Sequence, residues 1–168
     1  MRKLLSILLC LALLLPILGC TEENQPEKPV NFYYRRAEIA YKDDSGVIAP
    51  EQRESAGHEG DIRYLLSEYL NGPLSDQYRQ VFPEDLTIIS LHYAENTAKI
   101  TLSFHLAQLS GMDLTIACAC LTMTIIELTG VESVQISAAG ALLDEYQSIT
   151  MDKDCFLLLD SSKDVKKG

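Results

Sequence analysis

The spacing of apolar residues changes several times along the chain, and each change marks an element. Leu4 to Leu18 is an almost unbroken apolar run, interrupted by Ser6 and Pro16. A polar stretch follows, and then Val30-Asn-Phe-Tyr-Tyr34, whose aromatic content favours a strand. Ile39 to Tyr41 reads as a second short strand, and residues 42–60, rich in charge, Gly and Pro, read as a loop or irregular hairpin. Ile62, Leu65, Leu66, Tyr69 and Leu70 recur at helical spacing and predict an amphipathic helix from about Glu59. Asn71-Gly72-Pro73 ends it, with a Gly suited to a left-handed cap and a Pro that cannot continue.

Leu86–Tyr93 and Ala98–Phe104 predict an antiparallel hairpin. In its second arm Ala98, Ile100, Leu102 and Phe104 alternate with polar residues. The connection, 94–97, lacks Gly, which favours a four-residue loop over a two-residue turn. Ser110-Gly-Met-Asp113 has the form of a capping box and opens a helix reaching about Leu128. Its residues are apolar on most sides, as in a central buried helix, and the thirteen residues between Asp113 and Glu127 are too few to span a bilayer. Gly130 ends it, and Val131 to Ala138 is a further strand. The order strand, helix, hairpin, helix, strand predicts one α+β domain over residues 30–140, with two helices on one face of a small sheet. Residues 141–168 form a C-terminal extension in which Cys155–Leu159 is a candidate edge strand and Ser161–Gly168 a frayed tail.

Met1-Arg2-Lys3 ahead of the first apolar run changes what that run means. A positive start, an apolar stretch of this length and Gly19 at its end describe a secretory signal over residues 1–19. Ile17-Leu18-Gly19-Cys20 resembles the lipobox of bacterial lipoproteins. That resemblance implies that Cys20 is acylated and becomes the mature N-terminus, on the extracytoplasmic face of the cell membrane. Each buried CH₂ of an acyl chain contributes about 0.8 kcal/mol, so several chains on one residue anchor firmly. Residues 20–29 then form a lipidated Cys and polar tether, and nine extended residues reach ~30 Å.

Charge narrows the partners. Residues 1–19 hold Arg2 and Lys3 and no acid, so their removal takes the net charge from −10 to −12. Nucleic acid is excluded as a partner, because its phosphates are bound through Lys and Arg. An acidic domain also has no reason to lie on an anionic membrane, which leaves the lipid as the membrane contact. Cys118 and Cys120 are two apart in a helical pattern and point in different directions, so they do not chelate one metal together. With Cys155 they read as small buried side chains. His58, His92 and His105 lack ligand spacing, so neither a metal nor a cofactor is expected.

Catalytic patterns are also missing. Ser103, Ser110 and Ser137 lie outside any G-x-S-x-G elbow, and no glycine-rich phosphate loop is present. Glu84-Asp85, Asp43-Asp44 and Asp152/Asp154 are acid pairs of the kind that solvated turns carry. His105 reads as a strand-end histidine.

Leu65-Leu66 through Leu70-Asn71-Gly72-Pro73, Phe82-Pro83 and the Leu102-Ser103 strand end form one half of a pattern. Leu121-Thr122 with Thr124, and Gly130-Val131 through Val134 and Ile136 to Gly140, form the other. Together they resemble the GerM-type sporulation and spore-germination domain of bacterial lipoproteins, over about Phe32 to Gly140. The resemblance implies a fold similar to the ring-building motif of secretion and sporulation channels. It also implies a structural or interaction role without a catalytic centre, with envelope or sporulation proteins as partners. Two departures stand out: Ala139 occupies a position where the family often has an acid, and the domain is single where the name-giving member has a tandem pair. The Asn71-Gly72-Pro73 turn is either a cap chosen for backbone geometry or an exposed turn that presents a binding surface. Phe32-Tyr33-Tyr34 is either a buried strand or an edge for pairing and self-association. The alternative function is an envelope enzyme, or a binder of a small molecule or cell-wall polymer.

Overall fold

A computed structural model of the protein describes residues 28–38 and 46–156. Its elements are β1 (Pro29–Arg36), β2 (Ile48–Glu54), α1 (Ile62–Leu70), β3 (Tyr78–Arg79), β4 (Ile88–Ala94) and β5 (Thr97–Leu102). A 3₁₀ turn (Phe104–Gln108), α2 (Gly111–Thr129), β6 (Ser133–Ala138), β7 (Ile149–Asp152) and a second 3₁₀ turn (Lys153–Phe156) follow. The result is an α+β domain with two helices, as the sequence predicts. Its strands are divided between two sheets, of order β2-β1-β3 and β4-β5-β6-β7.

Helix α2 organises both sheets. Leu114, Ala117, Cys118, Cys120, Leu121 and Ile125 are buried along it, and each large apolar side chain contributes about 1.5–3 kcal/mol by leaving water. The helix is long and apolar enough to pass as a membrane span, but here it is the core helix, with Val134, Ile136 and Ala138 of β6 in the same cluster. On its other flank runs β1. The Tyr33 amide donates to Thr124 Oγ1 at 3.0 Å, and Asn31 Nδ2 donates to Glu127 Oε1 at 3.0 Å. Phe32 and Tyr34, on the opposite side of β1, are buried against Tyr69 of α1. β1 is therefore the central strand of its sheet, and the open-edge reading of Phe32–Tyr34 falls.

Helix ends follow the expected signals only in part. Asp61 caps α1 by accepting the Tyr64 amide at 2.9 Å, so the helix begins a little later than Glu59. At α2, Ser110 sits at the cap position but its hydroxyl makes no capping bond. Asp144, from the loop after β6, accepts the Gly111 amide at 3.3 Å instead. Asp113 points to Arg35 rather than back to Ser110. Gly130 closes α2 at φ 74°, its amide donating to Ile126 O, as the sequence predicts.

The strands depart from expectation in detail. β2 lies inside the stretch read as a loop or irregular hairpin and takes the hairpin form, pairing antiparallel with β1 from Pro29↔Glu54 to Arg35↔Ile48. The expected second strand at Ile39–Tyr41 lies outside the described residues. The hairpin register Ala94↔Thr97 leaves a two-residue turn, Glu95-Asn96, rather than a four-residue loop. Glu95 takes the positive φ (54°) that Gly usually supplies. The edge strand beside β6 is Ile149–Asp152; of the Cys155–Leu159 stretch expected to form one, Cys155 and Phe156 lie in the second 3₁₀ turn and residues 157–159 lie outside the described residues. β5 and β6 run parallel in register from Thr97↔Ser133 to Leu102↔Ala138, which the helical crossover through α2 makes possible.

Candidate functional site

The Asn71-Gly72-Pro73 turn stands at the end of α1, over the inner face of β2. Gly72 has φ +103° and its amide donates to Tyr69 O at 3.1 Å. A Cβ added to Gly72 would lie 2.8 Å from Gln80 Nε2. Gln80 has little room to retreat: its Nε2 donates to Leu70 O, and its Oε1 accepts the Val81 and Phe82 amides. Gly is therefore required twice at this position, by backbone angle and by space.

Two charged residues on β2 hold the turn from below. Glu51 and Arg53 form an ion pair with side chains 8% and 11% exposed. Glu51 accepts the Leu74 and Ser75 amides, at 3.0 and 2.8 Å to Oε1. Arg53 donates to Gly72 O at 2.7 Å and to the Tyr34 hydroxyl at 3.2 Å, and its guanidinium lies over the Phe32 and Tyr34 rings at 5.1 and 5.6 Å. The network continues inward. The Tyr34 hydroxyl donates to Tyr69 O at 2.7 Å, and the Tyr69 hydroxyl donates to Tyr33 O at 2.8 Å. Burial raises the pKa of both phenols, so both remain neutral donors.

The geometry accounts for the turn as a backbone-determined cap and also leaves it at the surface. Its backbone groups are consumed by Glu51 and Arg53, and Asn71 Nδ2 reaches Glu68 at 3.5 Å. Beyond Pro73 the fixed backbone carries Leu74, which is 82% exposed. Glu51 and Arg53 escaped sequence reasoning. The signal they leave is opposite charges two apart, Glu-x-Arg, inside a stretch with no apolar alternation; in a strand such residues share one face.

Ser103 and His105 come together, with Oγ 3.1 Å from Nδ1. The Ser103 hydroxyl also accepts the Thr87 amide at 3.2 Å, and the Thr87 carbonyl accepts the Ser103 amide. The serine thus fastens the start of β4 to the end of β5. Ser137 bonds to Thr101 across β5 and β6 at 3.1 Å. His58, in the loop between β2 and α1, stacks on Tyr64 with ring centroids 3.8 Å apart. His92 is exposed on β4 and His105 lies in the first 3₁₀ turn, so the three histidines sit on three different segments. Glu84 and Asp85 are exposed ahead of β4, and Asp152 accepts the Asp154 amide in a local turn. Asp43 and Asp44 lie outside the described residues. Among the described residues no group of three or more His, Cys, Asp or Glu is arranged to hold a metal. Cys118 and Cys120 are buried free thiols, and burial pushes each pKa up to about 12. Cys20, with the expected signal segment and most of the expected tether, lies outside the described residues.

The sequence pattern of the sporulation and spore germination family, Germane, matches residues 31–144. Among curated proteins, none matches this chain. Solved structures similar to it include a candidate lipoprotein from Clostridium perfringens (18% identity, 76% of this chain and 89% of that one, TM-score 0.43). Another is the first GerMN domain of the sporulation protein GerM from Bacillus subtilis (17%, 70% and 87%, TM-score 0.47). The tandem GerMN domains of that protein are matched at 19% identity over 73% of this chain and 43% of theirs, with TM-score 0.49.

Proposed function

The chain belongs to the Germane family of sporulation and spore germination domains, and we propose that it serves as a non-enzymatic, lipid-anchored interaction module on the extracytoplasmic face of the cell membrane. The observation that carries the interaction role is how the best-buried charges are used. Glu51 and Arg53 are engaged with each other, with the Gly72, Leu74 and Ser75 backbone and with a tyrosine hydroxyl. They build a rigid surface turn rather than a reactive centre. That surface ends in Leu74, an exposed side chain on a fixed backbone, the form that recognition loops on rigid scaffolds take. The anchor rests on Gly19-Cys20 at the close of the Leu4–Leu18 run, and the acidic balance leaves the lipid as the contact with the membrane.

Two experiments test the two halves. Cys20→Ala releases the chain from membranes or leaves it uncleaved on its signal segment; a variant processed and retained like the native chain removes the anchor. Deleting the gene lowers the count of heat-resistant spores or slows their germination; normal values for both remove the sporulation role. Crosslinking in sporulating cells, with Leu74→Asp as control, identifies the partner. Unchanged partners in that variant remove the turn from the interface.

A further inference from the structure

β1 and β3 place Arg35 directly opposite Arg79. Side chains so paired have Cβ atoms about 4.5–5.5 Å apart on one face, and like charges there repel. Asp113 stands beside the pair, 3.7 Å from Arg35, on a carboxylate 72% exposed; contacts so open to water hold little. The Arg79 Nε–H donates to Ala37 O at 3.2 Å, which anchors one edge of that guanidinium. Both arginines line a cleft of about 480 Å³, whose wall includes Val81, Phe82, Leu109 and Ile116. In a chain with ten more acids than bases, two arginines at directly paired positions beside an apolar wall form a local inversion of charge.

We propose that this cleft binds an acidic peptide segment of a partner protein, with one Asp or Glu carboxylate between Arg35 and Arg79 and an apolar neighbour on the wall. Guanidinium forks match a carboxylate with paired, charge-assisted hydrogen bonds. The anion also relieves the repulsion built into the strand pair. The apolar wall selects a peptide over a bare phosphate polymer, whose polar body gains nothing there. Asp113 acts as an internal competitor at the rim. The inference rests on the interaction reading above and supplies the chemistry of one partner.

The test is a calorimetric titration of the full chain, in neutral detergent, with acetyl-Phe-Glu-Leu-Glu-Phe-amide, its Gln-for-Glu analogue and inorganic phosphate. The acidic peptide binds and the Gln analogue binds at least about tenfold more weakly. Arg79→Gln weakens the acidic peptide by a similar factor while leaving Tm unchanged or higher, since a repulsion has been removed. Asp113→Asn tightens binding, about threefold, where a merely structural role would leave it unchanged. Equal binding of the two peptides, no binding of either, or weaker binding by Asp113→Asn overturns the proposal. Phosphate binding as tightly as the peptide assigns the cleft to a phosphate-bearing ligand and overturns the peptide reading. Peptide binding by a chain whose deletion leaves spores normal refutes the sporulation role and leaves the cleft standing.

Discussion

Replacing Arg53 with Met keeps most of the side-chain volume and removes the charge. The guanidinium loses its ion pair with Glu51, its bonds to Gly72 O and the Tyr34 hydroxyl, and its stacking over Phe32 and Tyr34. Glu51 is then left with a charge at 8% side-chain exposure, supported by the Leu74 and Ser75 amides. Breaking a buried pair from one side costs about 3–5 kcal/mol. The two amide bonds that remain place this case at the lower end, about 3 kcal/mol. For a domain of this size that corresponds to a fall in Tm of roughly 10 °C, read by far-ultraviolet circular dichroism on heating and checked by urea titration. Hydrogen exchange at the Leu74 and Ser75 amides accelerates in step. Adding Glu51→Gln to Arg53→Met recovers part of the loss, because no uncompensated charge is then buried. A single variant that costs less than about 1 kcal/mol, the scale of exposed pairs, refutes the claim that this pair holds the turn. So does a double variant less stable than the sum of its singles.

Gly72→Ala is destabilising by about 2 kcal/mol or more, since it strains φ +103° and drives into Gln80; urea unfolding reads it, and a loss below about 0.5 kcal/mol contradicts the packing described. Glu95→Asn, at the φ 54° corner of the β4–β5 turn, stabilises by roughly 0.5 kcal/mol because Asn tolerates that region better. Iodoacetamide at pH 8 leaves Cys118 and Cys120 unmodified until the chain is unfolded, as mass spectrometry will show. Both thiols are held near 12 when folded, against an ordinary 9.0. The folded state therefore keeps protons that the unfolded chain has lost. Their contribution is complete below pH 9 and disappears as pH rises from about 9 to about 12. Cys118→Ala with Cys120→Ala flattens that alkaline fall, and an unchanged slope means that other groups cause it.

What the sequence showed and what it hid follow from where apolar residues were needed. α2 and β5 were legible because Leu114, Ala117, Leu121 and Ile125, and Ala98, Ile100 and Leu102, each repeat at the period of their element. β2 was hidden because its inward positions are Ala49, Glu51 and Arg53, so its buried face reads as polar loop. Pro50 deepened the disguise, although an edge strand accepts it. The Ser110 box failed because a competing acid, Asp144, reaches the Gly111 amide from a distant loop, and local spacing carries no record of that. The turn at 71–73 was located correctly, but its clamp was not. Glu51 lies more than twenty residues before the Leu74 amide it holds, and only the pairing of β1 with β2 brings them together.

The position of β1 also has a mechanical consequence. This strand begins at Pro29, where the chain leads back toward Cys20, and it reaches Arg35 at the far end, beside the cleft. A pull between an anchored Cys20 and a partner held by Arg35 and Arg79 therefore acts along the strand's own axis. Load in that direction enters and leaves on β1 itself, so its backbone carries it, while the rungs to β2 and the α2 contacts of the Tyr33 amide and Asn31 hold the strand in place. Under the proposed anchor, the domain would thus be held through a strand braced by both β2 and α2.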